Sequence, residues 1–534
     1  MTRLQPCRWL AAALLLAAAT AAQAQFDPSK AQREPAAVAA RFPDPDVSYP
    51  TPAFRAGRTD LPAHAEVLAY LQSLAAQSSR IQLQTIGRSQ QGLAMPMAVL
   101  SAHGLDPALP TVMIIAQQHG NEPAGGEAAL ALAQQLAGPR SALLERVNVL
   151  IVPRANPDGA ERFVRATRSG VDVNRDHLLL RTPEARAIAA ATLEFKPQVV
   201  LDLHEFTVAG RWTDKFGAMQ KYDALVQAAS VGNLDAGIAA AQGHYVERLN
   251  QVWAANGLTS FAYHTTSPDP QDKVVAMGGV QPDTGRNTSG LRPAISLLLE
   301  VRGVGLGRAH LLRRVHTQVL AGLTVVEIAA AQGRSLIDLV GRAAADTQAL
   351  ACQGELVVDA RQREGRQTLI FVDAVSGADK PVDVVWRAAE PLEVLRTRAR
   401  PCGYLLAGDQ ADTLERLRLL GVRTRQVAAA GRWDIERYVI VSQDDGHRQD
   451  ARGAIDDGLD GAIRVLKVST ERETVDVAPG TVYVPLDQPL AGLIAAALEP
   501  DSQNSYAANR LLELNQGQLR RVMARPAAAL LRPE

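Results

Sequence analysis

Neither sign of charge is in excess in this sequence, and aromatic residues are scarce. The chain has 56 Lys and Arg against 56 Asp and Glu, and only 4% of its residues are Phe, Trp or Tyr. A balanced chain lacks the general attraction for polyanions that is typical of nucleic-acid-binding proteins. Few aromatics argue against broad platforms that stack sugars or bases. We therefore expect no nucleic-acid partner.

Long hydrophobic runs are also missing beyond the first residues. Arg3 and Arg8 precede an apolar stretch from Trp9 to Ala22, and a small-residue pattern, Ala22-Gln23-Ala24, follows. This order is typical of a cleaved secretory signal over residues 1–24. The alternative is a membrane anchor, but the run is shorter than the roughly 20 residues that span a bilayer. We expect an exported protein, periplasmic or secreted, with no stable membrane insertion after cleavage.

Cysteine is nearly absent from the expected mature chain, which keeps Cys352 and Cys402. Two cysteines exclude a Cys-rich metal site. In an oxidising compartment they can form a disulfide, or they can remain two buried thiols, and the sequence leaves both open.

The pattern of hydrophobic residues divides the chain into four segments. Residues 1–24 are the signal, 25–62 a Pro- and Ala-rich extended arm, 63–334 a first folded domain and 335–534 a smaller mixed α+β domain of unknown role. Nearly unbroken apolar runs predict strands buried on both faces, and helical stretches lie between them. The first domain is therefore expected to be α/β, with a sheet covered by helices on both faces. The strands are expected at Thr111–Ala116, Val147–Val152, Val199–Leu203 and Ala294–Leu299.

The second domain is predicted to begin with a helix that ends at Thr347, followed by the short alternating strands Glu355–Asp359, Thr368–Val372 and Val382–Arg387. The tail from about Leu512 is predicted as a charged helix or a frayed end.

Candidate metal ligands follow two of the predicted strands. His119 and Glu122 come just after the first, and His204 ends the strand that begins at Val199. Imidazole and carboxylate are suitable zinc ligands, and a catalytic zinc needs three of them and one open position. Asp202 or Glu205 is a candidate partner for a ligand, and the sequence does not decide between them.

Several ordered motifs resemble those of zinc carboxypeptidases, over about residues 60–330. Arg165-Ala166-Thr167-Arg168 is similar to the family's Arg-x-Thr-Arg segment. The other matching motifs are His119-Gly120-Asn121-Glu122, Asn156-Pro157-Asp158-Gly159, Asp172-Val173-Asn174-Arg175, His204 and Glu300-Val301-Arg302.

The resemblance implies a mixed, mostly parallel sheet and one Zn²⁺ per chain, with His119, Glu122 and His204 as its ligands. Glu300 resembles the general base that takes a proton from zinc-activated water. Taken alone, Glu300 would be better explained by a salt bridge to Arg302, but its place in this series of motifs favours the general base.

Three further residues are matched to roles in handling the substrate. Arg165 resembles the residue that stabilises the oxyanion of the tetrahedral intermediate. Asn174 and Arg175 resemble the pair that binds the substrate's terminal carboxylate.

Two departures from the well-studied digestive members are visible. Asn121 stands where they have Arg, a variant similar to the bacterial branch and to deacylase relatives. Residues 273–290 contain no Tyr, although those members carry one on a mobile loop there. Arg286, in the same stretch, is a candidate contact for the substrate's carboxylate or backbone.

The leading hypothesis is a zinc-dependent metallocarboxypeptidase acting on peptides with a free C-terminal carboxylate. An alternative with the same site chemistry is an exported amidase acting on cell-wall peptides or N-acyl amino acids. An alternative of another class is an inactive peptide-binding module. The sequence does not indicate the preferred terminal residue or the oligomeric state.

Overall fold

The computed structural model describes residues 26–455, 461–514 and 517–533, so the predicted signal segment lies outside the described residues. The α-helices are α1 (Ala36–Ala39), α2 (His64–Gln77), α3 (Pro123–Ala137), α4 (Pro157–Arg162), α5 (Pro183–Phe195), α6 (Arg211–Phe216), α7 (Ala236–Ala255), α8 (Gly285–Gly290), α9 (Leu311–Gln332), α10 (Arg334–Ala349), α11 (Ala411–Leu419) and α12 (Ala491–Leu498).

The β-strands that precede residue 334 are β1 (Ile81–Arg88), β2 (Ala94–Leu100), β3 (Thr111–Ala116), β4 (Asn148–Val152), β5 (Val199–Thr207), β6 (Ala218–Met219), β7 (Ala224–Ala228), β8 (Ser260–Ala262), β9 (His264–Thr266), β10 (Val274–Met277) and β11 (Ile295–Val304). Those that follow it are β12 (Glu355–Asp373), β13 (Asp379–Ala399), β14 (Gly403–Leu406), β15 (Arg425–Val427), β16 (Gly431–His447), β17 (Gln449–Asp450), β18 (Gly453–Ala454), β19 (Ala462–Val477), β20 (Val482–Pro485), β21 (Leu519–Val522) and β22 (Leu531–Pro533).

We call the chain up to residue 334 the first part and the chain after it the second part. An eight-stranded mixed sheet forms the centre of the first part, with strand order β1-β2-β4-β3-β5-β11-β7-β8. Strands β4, β3, β5 and β11 run parallel to one another, and β7 and β8 also pair in parallel. The β1–β2, β2–β4 and β7–β11 pairs are antiparallel. The expected mixed, mostly parallel sheet is confirmed.

Alternate residues of β3 enter opposite hydrophobic cores. Ile114 packs in the core that contains residues of α3, α7 and α9. Met113 packs in the core on the other face, where α5 supplies Ile188. Burial of both faces is the reason the strand reads as an unbroken apolar run.

The register of three parallel strands sets the position of the candidate site. Ala116, the last residue of β3, lies opposite Leu203 of β5. On the other side of β5, Glu300 of β11 lies opposite His204. The carboxyl ends of β3, β5 and β11 therefore meet at one edge of the sheet, where ligands of open α/β sheets bind.

The second part is rich in sheet and joins the first. Strands β12 and β13 form a hairpin that enters a five-stranded sheet with strands of the first part, in the order β6-β12-β13-β10-β9. The two short strands expected within 355–372 are one strand, β12, whose pairing with β13 is interrupted by bulges. The boundary near residue 334 falls between α9 and α10 and stays a prediction.

The expectation of a helix or a frayed end beyond Leu512 is wrong for residues 519–522. Strand β21 lies inside a seven-stranded sheet, between β16 and β14. Its buried Arg521 forms ion pairs with Glu436 and Glu499, which compensate the burial of its charge. Because this strand contains arginine, its sequence resembles that of a solvent-exposed segment.

Within the described residues, no single helix has the length and hydropathy of a membrane span. One pair, α9 with α10, meets that test only when the two are joined across a bend of 86°.

A disulfide joins Cys352, just after α10, to Cys402, just before β14. It closes a loop that contains the whole β12–β13 hairpin. The pairing that the sequence left open is therefore present in the structure.

We predict that Cys352→Ser lowers the free energy of unfolding by about 2–4 kcal/mol, because the open chain gains conformational entropy when unfolded. Calorimetry measures the loss as a lower melting temperature. A reductant should lower the melting temperature of the native protein to that of the variant and leave the variant unchanged. Equal melting temperatures without reductant would contradict a stabilising disulfide.

Candidate metal centre and active site

Three buried side chains converge at the edge of the central sheet. Nδ1 of His119 lies 2.7 Å from Oε1 of Glu122, and Nδ1 of His204 lies 3.0 Å from Oε2 of the same carboxylate. The two Nδ1 atoms are 3.0 Å apart. All three predicted ligands are thus brought together as a group that could hold a metal ion. We call His119, Glu122 and His204 the ligand cluster.

Each histidine is oriented by a second carboxylate. Nε2 of His119 lies 3.0 Å from Oδ1 of Asp172, and Nε2 of His204 lies 2.9 Å from Oδ2 of Asp202. In the form that binds a metal ion, each Nε2–H donates to its carboxylate, which leaves the Nδ1 lone pair for the ion. Burial opposes ionisation of Asp172, but the charge of Arg165 and the hydrogen bond from His119 lower its pKa well below the usual value.

This donor set fits a zinc ion. The two Nδ1 atoms lie 3.0 Å apart beside a buried carboxylate, close enough for one cation to contact all three groups. Two imidazoles and one carboxylate are a common ligand set of catalytic zinc, and carboxylate partners of the kind supplied by Asp172 and Asp202 accompany most zinc-bound histidines.

The choice that the sequence left between Asp202 and Glu205 is resolved by the geometry. Asp202 faces His204, and Gln118 donates to both oxygens of Asp202. Glu205 instead accepts from the backbone N–H of Ala124 and pairs with Arg314. Asp172 belongs to one of the matching motifs, but the sequence does not indicate it as the partner of His119, because 53 residues separate the two.

The loop that carries His119 is held by a close backbone approach. A Cβ at Gly120 would lie 1.9 Å from the carbonyl carbon of Gly159, so glycine is required there. Asn156 caps α4, and its Nδ2 also donates to the carbonyls of Gln118 and Arg165. One amide thus joins the His119 loop to the segment of Arg165.

Glu300 lies on β11 beside His204 and lines the same cavity as His119. It is only 7% exposed, and burial raises its pKa to about 7. The salt bridge to Arg302 that the sequence allowed is not formed, since Arg302 pairs with Glu34 at 2.7 Å. A carboxyl group that titrates near neutrality is suited to receive and return a proton.

Arg165 reaches over the ligands. Its Nε and Nη2 donate to Oδ2 of Asp172 at 3.1 and 2.8 Å. Its Nη1 lies 3.2 Å from Nδ1 of His119, and about a third of the side chain is exposed. The guanidinium is therefore fixed at one end and accessible at the other.

Asn174 and Arg175 also line this cavity, and both have partners in the structure. Asn174 accepts from the backbone N–H of Gly285 at 2.9 Å, and its Nδ2 lies 3.3 Å from Nε2 of His204. Arg175 donates from Nη2 to Oδ2 of Asp450 at 2.7 Å.

The second part of the chain contributes to the cavity wall, through residues that the sequence did not identify. Asp450, Ala451 and Arg452 line the cavity from the turn between β17 and β18. Arg452 donates from Nε and Nη2 to the Asp450 oxygen that Arg175 also contacts. The local sequence carries no motif that would place this turn beside a sheet edge hundreds of residues away.

Arg286 and Tyr263 also line this cavity. Arg286 is buried on α8, and its Nη2 donates to the carbonyl of Gly279 at 2.7 Å. Tyr263 comes from the turn between β8 and β9, upstream of the Tyr-free stretch 273–290. Burial raises the pKa of Tyr263 above its usual value, so its phenol is protonated at neutral pH.

Comparisons with known proteins agree with this geometry. Residues 67–206 match the sequence model of the family described as zinc carboxypeptidase. The chain is 26% identical over 524 residues to carboxypeptidase 2 of Trichophyton rubrum, covering 93% of this chain and 95% of that protein. It is 28% identical over 367 residues to a probable carboxypeptidase 2 of Trichophyton verrucosum, covering 66% of this chain and 70% of that protein.

Among solved structures, a metallo-carboxypeptidase from Burkholderia cenocepacia is similar with a TM-score of 0.39 and 20% identity, over 50% of this chain and 70% of that one. A metallo-carboxypeptidase from Pseudomonas aeruginosa, in complex with (2-guanidinoethylmercapto)succinic acid, gives 0.38 and 19% over 51% and 70%.

We predict that Asp172→Asn and Asp202→Asn each weaken zinc binding about 10- to 100-fold, because the amide no longer fixes the ring or increases its basicity. Competition with a chromogenic chelator measures the affinity. The matched control is Asp338→Asn, an exposed residue of α10, which should bind zinc as the native protein does. Unchanged affinity in both site variants would contradict the role given to these carboxylates.

Proposed function

We propose that this chain, which carries a zinc carboxypeptidase domain and is a zinc metallopeptidase, removes the C-terminal residue from peptides. The observation that carries the proposal is the convergence of His119, Glu122 and His204 beside a buried Glu300. Zinc held by these ligands supplies a Lewis acid for water and for the scissile carbonyl.

Glu300 is the proposed general base. It accepts a proton from the attacking water and returns it to the leaving amine. The buried position on β11 and a pKa near 7 support both halves of this transfer.

Arg165 is the proposed donor to the oxygen that becomes negatively charged in the transition state. Asp172 fixes the orientation of the guanidinium before the reaction, and Nη1 faces the ligand cluster. A donor that is already oriented needs little reorganisation when charge develops.

The terminal carboxylate of the substrate is proposed to bind on the arginine side of the cavity. Asn174, Arg175 and Arg286 are the candidate contacts, and all three line the cavity with Glu300. Guanidinium groups suit this task because they pair with carboxylates through two parallel hydrogen bonds.

Export is part of the proposal. The signal pattern of residues 1–24 and the disulfide between Cys352 and Cys402 both fit an oxidising compartment outside the cytoplasm.

We predict that Glu300→Gln lowers kcat about 10²- to 10⁴-fold on peptides, because the amide cannot accept the proton. Release of terminal amino acids measures the rate, and metal analysis should find zinc bound as in the native protein. Glu247→Gln, at an exposed position on α7, is the matched control and should retain full activity. Equal turnover in Glu300→Gln and the native protein would refute the assigned base.

We also predict that chelation of zinc abolishes peptide hydrolysis and that added zinc restores it, since Lewis acid chemistry is lost with the ion. Activity is assayed before dialysis against a chelator, after it, and after reconstitution. Full activity in metal-free protein would contradict the mechanism. Release from cell-wall peptides or N-acyl amino acids, with none from ordinary peptides, would favour the amidase alternative.

A further inference from the structure

Positive charge predominates in the cavity beside the ligand cluster. Among the described residues that line it, Glu300 and Asp450 are the carboxylates outside the metal ligands. Against these two stand four guanidinium groups, those of Arg165, Arg175, Arg286 and Arg452.

Three of the four guanidinium groups have carboxylate partners. Arg165 pairs with Asp172. Arg175 and Arg452 share the carboxylate of Asp450, at 2.7 and 2.8 Å. Two positive charges against one negative leave this group, Arg175–Asp450–Arg452, with one positive charge, which suits one carboxylate of a substrate.

Arg286 differs from the others. It is 4% exposed, and its recorded hydrogen bonds go to the carbonyl of Gly279 and to Oδ1 of Asn287. No carboxylate of the described residues lies within 4.0 Å of it. Burial lowers its pKa to about 10, so it stays charged at neutral pH. A buried charge without an opposite charge is costly, and an anionic ligand would remove that cost.

We propose that the cavity selects peptides whose C-terminal residue has an acidic side chain, glutamate or aspartate. Of the three candidate contacts for the terminal carboxylate, Arg286 is here reassigned to the side-chain carboxylate, and the Arg175–Asp450–Arg452 group binds the terminal one. This inference rests on the proposed carboxypeptidase function and deepens it by naming the substrate class.

The turn that supplies Asp450 and Arg452 is anchored to the first part. Arg448, at its base, forms an ion pair with Asp283 and donates to the carbonyl of Arg175. The second part therefore builds one wall of the substrate site.

Entry of a side chain requires a wall residue to move, since the cavity has a volume of only about 30 Å³. The side chain of Arg452 is 26% exposed and is the part of the turn that can move toward solvent.

The test uses zinc-loaded native protein and two tetrapeptides, each with a blocked amino terminus and a free carboxyl terminus. They differ only in their C-terminal residue, which is glutamate in one and glutamine in the other. These side chains have nearly the same size and differ in charge. We expect kcat/KM to be at least about tenfold higher for the glutamate peptide, because a charged pair in a buried site is stronger than a neutral hydrogen bond. Peptides ending in leucine and lysine complete the series.

Two variants separate the two carboxylate contacts. Arg286→Gln should bring the glutamate-to-glutamine ratio close to one while the glutamine peptide is still hydrolysed. Arg452→Gln should raise KM for both peptides by similar factors and keep the ratio, since Asp450 then cancels the charge of Arg175. Arg342→Gln, exposed on α10, is the matched control and should change neither quantity.

A measurement without substitutions guards against misfolding of Arg286→Gln. Free L-glutamate should inhibit the native protein at a concentration at least about tenfold lower than L-glutamine, because both occupy the site of the released residue.

Hydrolysis of all peptides without preference for glutamate, or with preference for lysine, would overturn this inference and leave the carboxypeptidase function standing. Faster turnover of both peptides in Arg452→Gln would contradict the role given to Arg452, because it would mean that this side chain obstructs the site. Hydrolysis of none of the peptides would refute the proposed function itself.

Discussion

Buried carboxylates fix both histidines of the ligand cluster, and the rest of the site depends on this constraint. Asp172 and Asp202 lie against the Nε2 atoms, so the Nδ1 atoms of His119 and His204 face each other and Glu122. These three groups are arranged so that one cation could contact all of them. The fold maintains this arrangement by burying the cluster, and burial also makes the electrostatic attraction of a cation stronger than in water.

Parallel strand pairing places the remaining groups around this cluster. Strands β3, β5 and β11 end at the same edge, so His119, in the loop after β3, lies near His204 of β5 and Glu300 of β11 although the three are distant in sequence. Rigid, buried strands hold His204 and Glu300 more precisely than loops would. The arginines come from loops and short helices around that edge.

The second part of the chain is joined to the first and is not merely appended to it. Its β12–β13 hairpin extends a sheet of the first part, and its β17–β18 turn brings Asp450 and Arg452 to the cavity beside the ligand cluster. Similarity to carboxypeptidase 2 of Trichophyton rubrum covers 93% of the chain and therefore includes this part. A site shared between both parts couples the shape of the cavity to the fold of the second.

By itself the sequence determined the elements and ligands that depend on local pattern. Apolar runs indicated β3, β4, β5 and β11, because a sheet buried on both faces tolerates little else. His119, Glu122 and His204 were recognisable as candidate ligands from their positions at strand ends and from the resemblance of the motifs that contain them. Tertiary structure alone decided the pairings of His119 with Asp172 and of Arg175 with Asp450, and the position of β21. These contacts join residues far apart in the chain, and their energy comes from burial and opposite charge, which leave no periodic signal in the sequence.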